Sequence, residues 1–138
     1  MKLVWLAGFV ALLASPLQAQ EQEDVTVMQL LSTTTTSSGQ PIVLPRNDAQ
    51  IVVSIYDVAS RAKLETHNHP FPRYAYVLSG YLCVTNLETG QSDTYKPGDF
   101  IVESVGEWHM GANIGSEPLK LLVIDLVEKG QTNTAPLK

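Results

Sequence analysis

The chain has 138 residues and a formal net charge of −5, with 9 basic and 14 acidic side chains. This acidic balance argues against a nucleic-acid or anionic-membrane binder, and the length fits one domain of ordinary size. Cys83 is the only cysteine, so the chain can form no internal disulfide bond.

Residues 1–19 have the layout of a signal peptide: Lys2 precedes an apolar run from Leu3 to Leu13, and a short polar stretch ends at Ala19. The apolar run is too short for the ~20-residue helix that crosses a membrane. We therefore expect cleavage after Ala19, a periplasmic or secreted protein, and no membrane anchoring after cleavage.

The next segment, residues 20–49, is predicted to hold an N-terminal strand and an irregular arm. The sequence DVTVMQLL favours the strand, and the Ser- and Thr-rich stretch STTTTSSGQPIVLP, with its glycine and prolines, indicates the arm. The last segment, residues 129–138, is polar with a late proline, and we expect a flexible tail.

Between these segments, residues 50–128 alternate short β-branched and aromatic runs with turns that contain glycine or proline. Spacing of this kind is typical of a sandwich or barrel, so we predict a single all-β domain. The final run, LKLLVIDLV, is apolar at nearly every position, which indicates that both of its faces are covered. A second subunit could cover one face, and we expect a homodimer.

Two histidines, His67 and His69, stand one residue apart, and alternate side chains of an extended strand share a face. Glu65 would share that face as well. The third and last histidine, His109, follows some forty residues later, with Asn113 four residues beyond it. Neutral imidazoles bind zinc, iron, copper and nickel, and three of them leave coordination positions open for water or substrate.

The segment from residue 61 to residue 113 resembles the two motifs of the cupin superfamily, G-x5-H-x-H-x3/4-E-x6-G and G-x5-P-x-G-x2-H-x3-N. The matching positions are His67, His69, Gly80, Gly98, Gly106, His109 and Asn113. Three positions depart from the motifs: Arg61 replaces the first glycine, Arg73 the glutamate and Ser104 the proline.

The resemblance implies a cupin-type double-stranded β-helix, which is a jelly-roll barrel. It also implies that His67, His69 and His109 bind one divalent transition metal, which could be iron, zinc, nickel, copper or manganese. Several dioxygenases of the superfamily use three histidines without the glutamate. Such a neutral triad leaves the charge of the metal less compensated, which favours anionic substrates.

Arg73 cannot replace the missing glutamate as a ligand, because a guanidinium has no acceptor lone pair. Strand alternation with Ala75 and Val77 would carry Arg73 into the barrel. Its charge could then be met by Glu65, Glu103 or Glu107, or by a substrate carboxylate. We therefore treat Arg73 as a candidate substrate anchor or salt-bridge partner.

Glu103 flanks the second motif and is a candidate substitute ligand or general base, as is Glu107. The functional hypothesis is an exported metal-binding cupin that acts on or senses a small organic acid, with metal-dependent dioxygenase chemistry as its enzymatic form. One alternative is a non-catalytic cupin that binds a sugar or an acid. Another is a metal-free, isomerase-like cupin that uses a histidine as its base.

Overall fold

In the computed structural model, which describes residues 25–137, short antiparallel strands account for all the regular secondary structure. Their bounds are β1 Ala49–Val58, β2 His67–Asn68, β3 Arg73–Ser79, β4 Leu82–Asn86, β5 Ser92–Tyr95, β6 Phe100–Val102, β7 His109–Asn113, β8 Leu119–Glu128 and β9 Ala135–Pro136. Within the described range no helix is long and apolar enough to cross a bilayer. The prediction of an all-β jelly-roll domain is confirmed.

The strands form two sheets, with the orders β1-β8-β3-β6 and β5-β4-β7-β2-β9. Alternate residues point inward: in β3, Arg73, Ala75 and Val77 are buried while the residues between them are half-buried. The apolar core lies between the sheets and is formed by Val58, Ala75, Val77, Leu82, Ile101, Leu119, Leu121 and Val123. One end of the barrel interior is polar instead, and it holds the histidines.

Gly80 makes the turn between β3 and β4 with a positive φ of 81°. A Cβ at this position would lie 2.7 Å from Cα of Leu119 and 2.9 Å from the carbonyl oxygen of Pro118. Both the backbone conformation and this close approach therefore require glycine.

The predicted N-terminal strand is wrong for the part that the structure describes. Residues 25–31 form no strand, and the side chains of Val25, Val27 and Met28 are exposed. Strand propensity alone does not suffice, because residues 25–31 pair with none of the strands that the structure describes. The predicted signal peptide, residues 1–19, lies outside the described residues, and export stays a prediction.

The irregular arm that follows is attached to the barrel through backbone and side-chain hydrogen bonds. The Ser37 amide donates to the carbonyl of Val102. The Gln40 side chain bonds the backbone of Val105 on both sides, as donor to its oxygen and as acceptor from its nitrogen. These bonds hold the arm against the segment that leads from β6 towards His109.

The segment predicted as a flexible tail contains a short strand in its described part. Strand β9 pairs with β2, placing Pro136 opposite His67 and Ala135 opposite Asn68. Asn133 is only 5% exposed. The polar composition of the tail indicated fraying, but the buried amide of Asn133 finds partners inside the barrel, and these fix the segment.

The outer face of the four-stranded sheet carries apolar side chains. Ile51, Val53 and Ile55 of β1 are more than half exposed, and the neighbouring outward residues of β8 are half-buried. Burial on the inner face of β8 agrees with its apolar sequence, whereas residues 25–137 leave the outward residues of β8 only half-buried. The homodimer stays a prediction.

Candidate metal centre

The three histidines meet at one end of the barrel. His67 on β2 stands directly opposite His109 on β7, and His69 follows two residues after His67. His67 is 8% exposed, His109 is 3% exposed and His69 is fully buried at 0%. Their potential ligand atoms all lie within 4.8 Å of one another, so the group could hold a metal ion.

Each imidazole is oriented by a hydrogen bond from Nδ1 to a backbone carbonyl. The acceptors for His67, His69 and His109 are the carbonyls of Glu65, Asn133 and Glu107, at 2.6, 2.6 and 2.9 Å. A carbonyl only accepts, so Nδ1 carries the proton, and Nε2 of a neutral ring keeps its lone pair. This fixed tautomer is the one that metal-binding histidines commonly adopt.

Glu103, immediately after β6, places its carboxylate among these rings. Its Oε2 lies 3.0 Å from Nε2 of His69 and 3.3 Å from Nε2 of His109, and its side chain is 15% exposed. The two Nε2 atoms are themselves 3.1 Å apart. Lone pairs at this spacing repel unless a proton or a metal ion lies between them, and a transition metal suits this set of nitrogen and oxygen donors.

Burial and charge shift the pKa values in this cluster in different directions. Burial alone would raise the pKa of the Glu103 carboxyl, but contacts with His109 and His69 and the charge of Arg73 outweigh burial and lower it. Burial lowers the pKa of His67. For His109 burial acts in the same direction, but the contact with Glu103 and the hydrogen bond to the Glu107 carbonyl together outweigh it and raise the pKa.

Arg73 points into the barrel, as its strand alternation predicted, and is 5% exposed. Its Nε donates to Oδ1 of Asp125 at 2.7 Å, and its Nη2 donates to Oδ2 of Asp125 at 3.0 Å and to Oγ1 of Thr134 at 3.1 Å. Burial, the largest single influence, would lower the pKa of the guanidinium, but the hydrogen bond to Asp125 and the charges of Glu103 and Asp125 together outweigh it and raise that pKa. Arg73 therefore has an internal salt bridge.

The partner of Arg73 differs from the three acids considered from the sequence. Asp125 stands directly opposite Arg73 on β8. Of those three acids, Glu107 uses its carboxylate to accept from the amide of Asn86 at 2.6 Å. The sequence did contain a signal for this partner: Asp125 is a single acid inside the apolar run of β8. Leu121 and Val123, which share its face of the strand, are core residues.

Comparisons with known proteins identify the family of this chain. The family model of the cupin domain matches residues 54–125, more than half of the chain. The chain belongs to the cupin superfamily. No curated protein matches the sequence.

Several solved structures resemble this cupin, each with a TM-score of 0.54. The polyketide cyclase RemF from Streptomyces resistomycificus is 22% identical, with 66% of this chain and 63% of that chain covered. The Lactobacillus farciminis oxalate decarboxylase, in a formate complex, is 24% identical over 63% of this chain and 26% of its own. At these identities the two likenesses show the fold alone.

The oxalate decarboxylase of Bacillus subtilis, a protein with Mn(II) centres, is 28% identical over 63% of this chain. The match covers only 24% of the decarboxylase chain. The cupin thus spans less than two thirds of RemF and about a quarter of either decarboxylase.

Two further motif positions, Asn113 and Arg61, are distinguished by hydrogen bonding and by backbone conformation. Asn113 is 2% exposed, and its amide donates to the carbonyls of Val58, Ala59 and Glu117. Arg61, in place of the first motif glycine, has a φ of 60°. That left-handed conformation favours glycine, which is the residue the motif has at this position.

Two cavities adjoin the histidines. A small one of ≈ 20 Å³ inside the barrel is bordered by His67, Arg73 and Glu103, and it has room for about one water. A larger one of ≈ 100 Å³ lies at the barrel mouth, where His109 forms part of its wall. The other polar groups lining it include Ser37, Asn86, Gln91, Asp93, Tyr95 and Ser104. A molecule of a few heavy atoms could reach His109 from this side.

Proposed function

We propose that this protein is an exported cupin that binds one divalent transition metal through His67, His69 and His109 and acts on, or senses, a small organic acid. The single observation that carries the proposal is the convergence of three Nε2 lone pairs, each fixed by a hydrogen bond from Nδ1. A bound metal would supply a Lewis-acid centre and, if it is iron or manganese, redox chemistry with oxygen.

The residues around the centre have separate tasks in this proposal. The three histidines hold the metal and, through their backbone partners, keep its position fixed. The barrel buries the inner side of the centre, so a ligand approaches through the ≈ 100 Å³ cavity beside His109. Arg73, with one edge of its guanidinium bound to Asp125, helps to hold the barrel together and is not free to clamp a carboxylate with that edge.

Two considerations support a small acid as the ligand. Neutral imidazoles leave positive charge on a divalent metal, and an anion would balance it. The likeness to the Bacillus subtilis oxalate decarboxylase, whose name gives a small dicarboxylic acid as its substrate, points to the same class. The size of the cavity at the barrel mouth agrees with a molecule of this kind.

The test uses protein expressed with its own leader and isolated from the periplasm. We expect the mass of a chain that begins at Gln20, up to one equivalent of metal, and product formation or oxygen uptake with small carboxylic acids, including oxalate. His109→Ala should abolish turnover. Retention of Met1 would contradict export, and metal-free protein with full activity would favour the histidine-base alternative.

A second candidate function is favoured by the lining of the mouth cavity. Its described polar residues are mainly hydroxyl- and amide-bearing, with the carboxylate of Asp93 and no lysine or arginine among them. Such groups suit a neutral, sugar-like ligand held without turnover. Calorimetric binding of a sugar or an acid, with no product and no oxygen uptake from the metal-loaded protein, would favour this binding function.

A further inference from the structure

Glu103 lies next to Arg73, the residue that stands where the motif has its glutamate. Strands β3 and β6 pair with Tyr74 opposite Val102, and the amide of Glu103 donates to the carbonyl of Arg73 at 2.9 Å. Glu103 is therefore the cross-strand neighbour of Arg73, and residues opposite one another share a face of the sheet. The carboxylate that position 73 lacks is present one strand away, inside the same barrel.

The distances around Glu103 fit a shared cation. Donor atoms that bind one ion at ~2.1 Å lie ~3.0 Å apart at right angles and ~3.4 Å apart in a tetrahedron. The three separations among Oε2 of Glu103, Nε2 of His69 and Nε2 of His109 are 3.0, 3.3 and 3.1 Å. All three fall within that range.

The chemistry of the atoms points the same way. With their Nδ1 protons donated to carbonyls, neutral His69 and His109 offer only acceptors at Nε2, and an ionised Glu103 also offers only acceptors. We propose that Glu103 is a fourth protein ligand of the metal, so that the carboxylate of the site has moved from β3 to the residue after β6. This inference rests on the proposed function, because it requires that the three histidines bind a metal.

The move also accounts for Arg73 and Asp125. Arg73 lies between two acids in the sheet, with Asp125 opposite it on β8 and Glu103 opposite it after β6. Asp125 takes the Nε and Nη2 edge of the guanidinium, which leaves Oε2 of Glu103 to the histidines. The two acids therefore have different close contacts: Asp125 accepts hydrogen bonds from Arg73, while Oε2 of Glu103 lies against the histidines.

The experiment compares Glu103→Gln and Glu103→Asp with the matched control Glu117→Gln, since Glu117 is exposed and lies outside the metal centre. Each protein is loaded with Co²⁺ or Mn²⁺, and its affinity is measured by competition with a chelator. The coordination is followed by Co²⁺ absorption and Mn²⁺ EPR. Circular dichroism checks the fold, and if Glu103→Gln does not fold, Glu103→Asp carries the test.

If Glu103 is a ligand, Glu103→Gln should weaken metal binding at least ~10-fold, as changes near a metal commonly do, and should alter both spectra. Glu103→Asp, which keeps the charge but shortens the side chain, should alter the spectra as well. Glu117→Gln should match the original protein. Unchanged spectra in Glu103→Asp would overturn the inference, since a purely electrostatic role survives that change. If the original protein binds no metal, the proposed function itself fails.

Discussion

Two polar clusters lie side by side on the inner surface of the barrel, and they differ in whether each acceptor faces a donor. Around His69, His109 and Glu103, three atoms that are all acceptors when the imidazoles are neutral approach one another within 3.0 to 3.3 Å. Around Arg73 and Asp125, donors meet acceptors: the guanidinium donates twice to the carboxylate, and the Asn133 amide donates to the same carboxylate at 2.7 Å.

This difference separates binding from stability. A buried cluster in which every donor has an acceptor forms all its hydrogen bonds internally and contributes to the stability of the fold. A cluster of converging acceptors instead lowers its energy by binding a cation. Asn133 connects the two, because its side chain bonds Asp125 while its carbonyl accepts from His69. Changes in one cluster should therefore affect stability, changes in the other should affect metal affinity, and Asn133 should affect both.

The largest effect on stability is expected for Arg73→Met. This change leaves the buried Asp125 without its charge partner, which typically costs about 3–5 kcal/mol of unfolding free energy. Urea denaturation of metal-free protein would measure it. The double variant Arg73→Met/Asp125→Leu removes both charges and should recover most of the loss. A single variant as stable as the original protein would show that the ion pair does not support the fold.

The next effect concerns metal affinity. His109→Ala removes a proposed ligand, and we expect it to weaken metal binding by more than the ~100-fold upper end seen for residues that only support ligands. Metal analysis and chelator competition would measure the change, with the exposed Lys96→Ala as a control. Undiminished binding in His67→Ala, His69→Ala and His109→Ala alike would refute the assignment.

Smaller effects are expected at Asn133, where the side chain should influence stability and the backbone carbonyl should influence metal affinity. Asn133→Ala removes the amide donor of Asp125, which should cost about 1–3 kcal/mol of stability, while the backbone carbonyl still orients His69. Deleting residues 131–138 removes that carbonyl as well and should lower metal affinity about 10–100-fold. Thr132→Ala, at an exposed position of the same segment, should change neither quantity.

If Asn133→Ala weakened metal binding as much as the deletion does, the two clusters would not be separable at this residue.

Sequence patterns predicted local features of these clusters better than distant ones. The H-x-H spacing and the second motif predicted that His67, His69 and His109 come together, and strand alternation predicted that Arg73 enters the barrel. Asp125 was missed because its pairing with Arg73 depends on the register of two strands that lie 52 positions apart in the chain. No local pattern encodes that register.

The two terminal segments were misjudged for opposite reasons. The apolar run at residues 25–31 has strand propensity, but a strand also requires a neighbour with free hydrogen-bonding edges, which a propensity does not supply. The tail is polar, yet Asn133 and Thr134 bond buried charged groups, and this interaction is invisible in the composition. Tertiary partners decided both outcomes.

The smallest effect is expected for removal of the metal. The core residues Val77, Leu119 and Val123 pack between the sheets without using the histidines, so the barrel should stay folded without metal, unlike a zinc finger. Chelation should leave the far-ultraviolet circular dichroism unchanged and lower the unfolding midpoint by a few degrees, in proportion to the lost binding energy. Reloading with Mn²⁺ should restore the midpoint. Cooperative unfolding at 25 °C on chelation would mean that the acceptor cluster, and not the apolar core and the Arg73–Asp125 pair, determines whether the barrel forms.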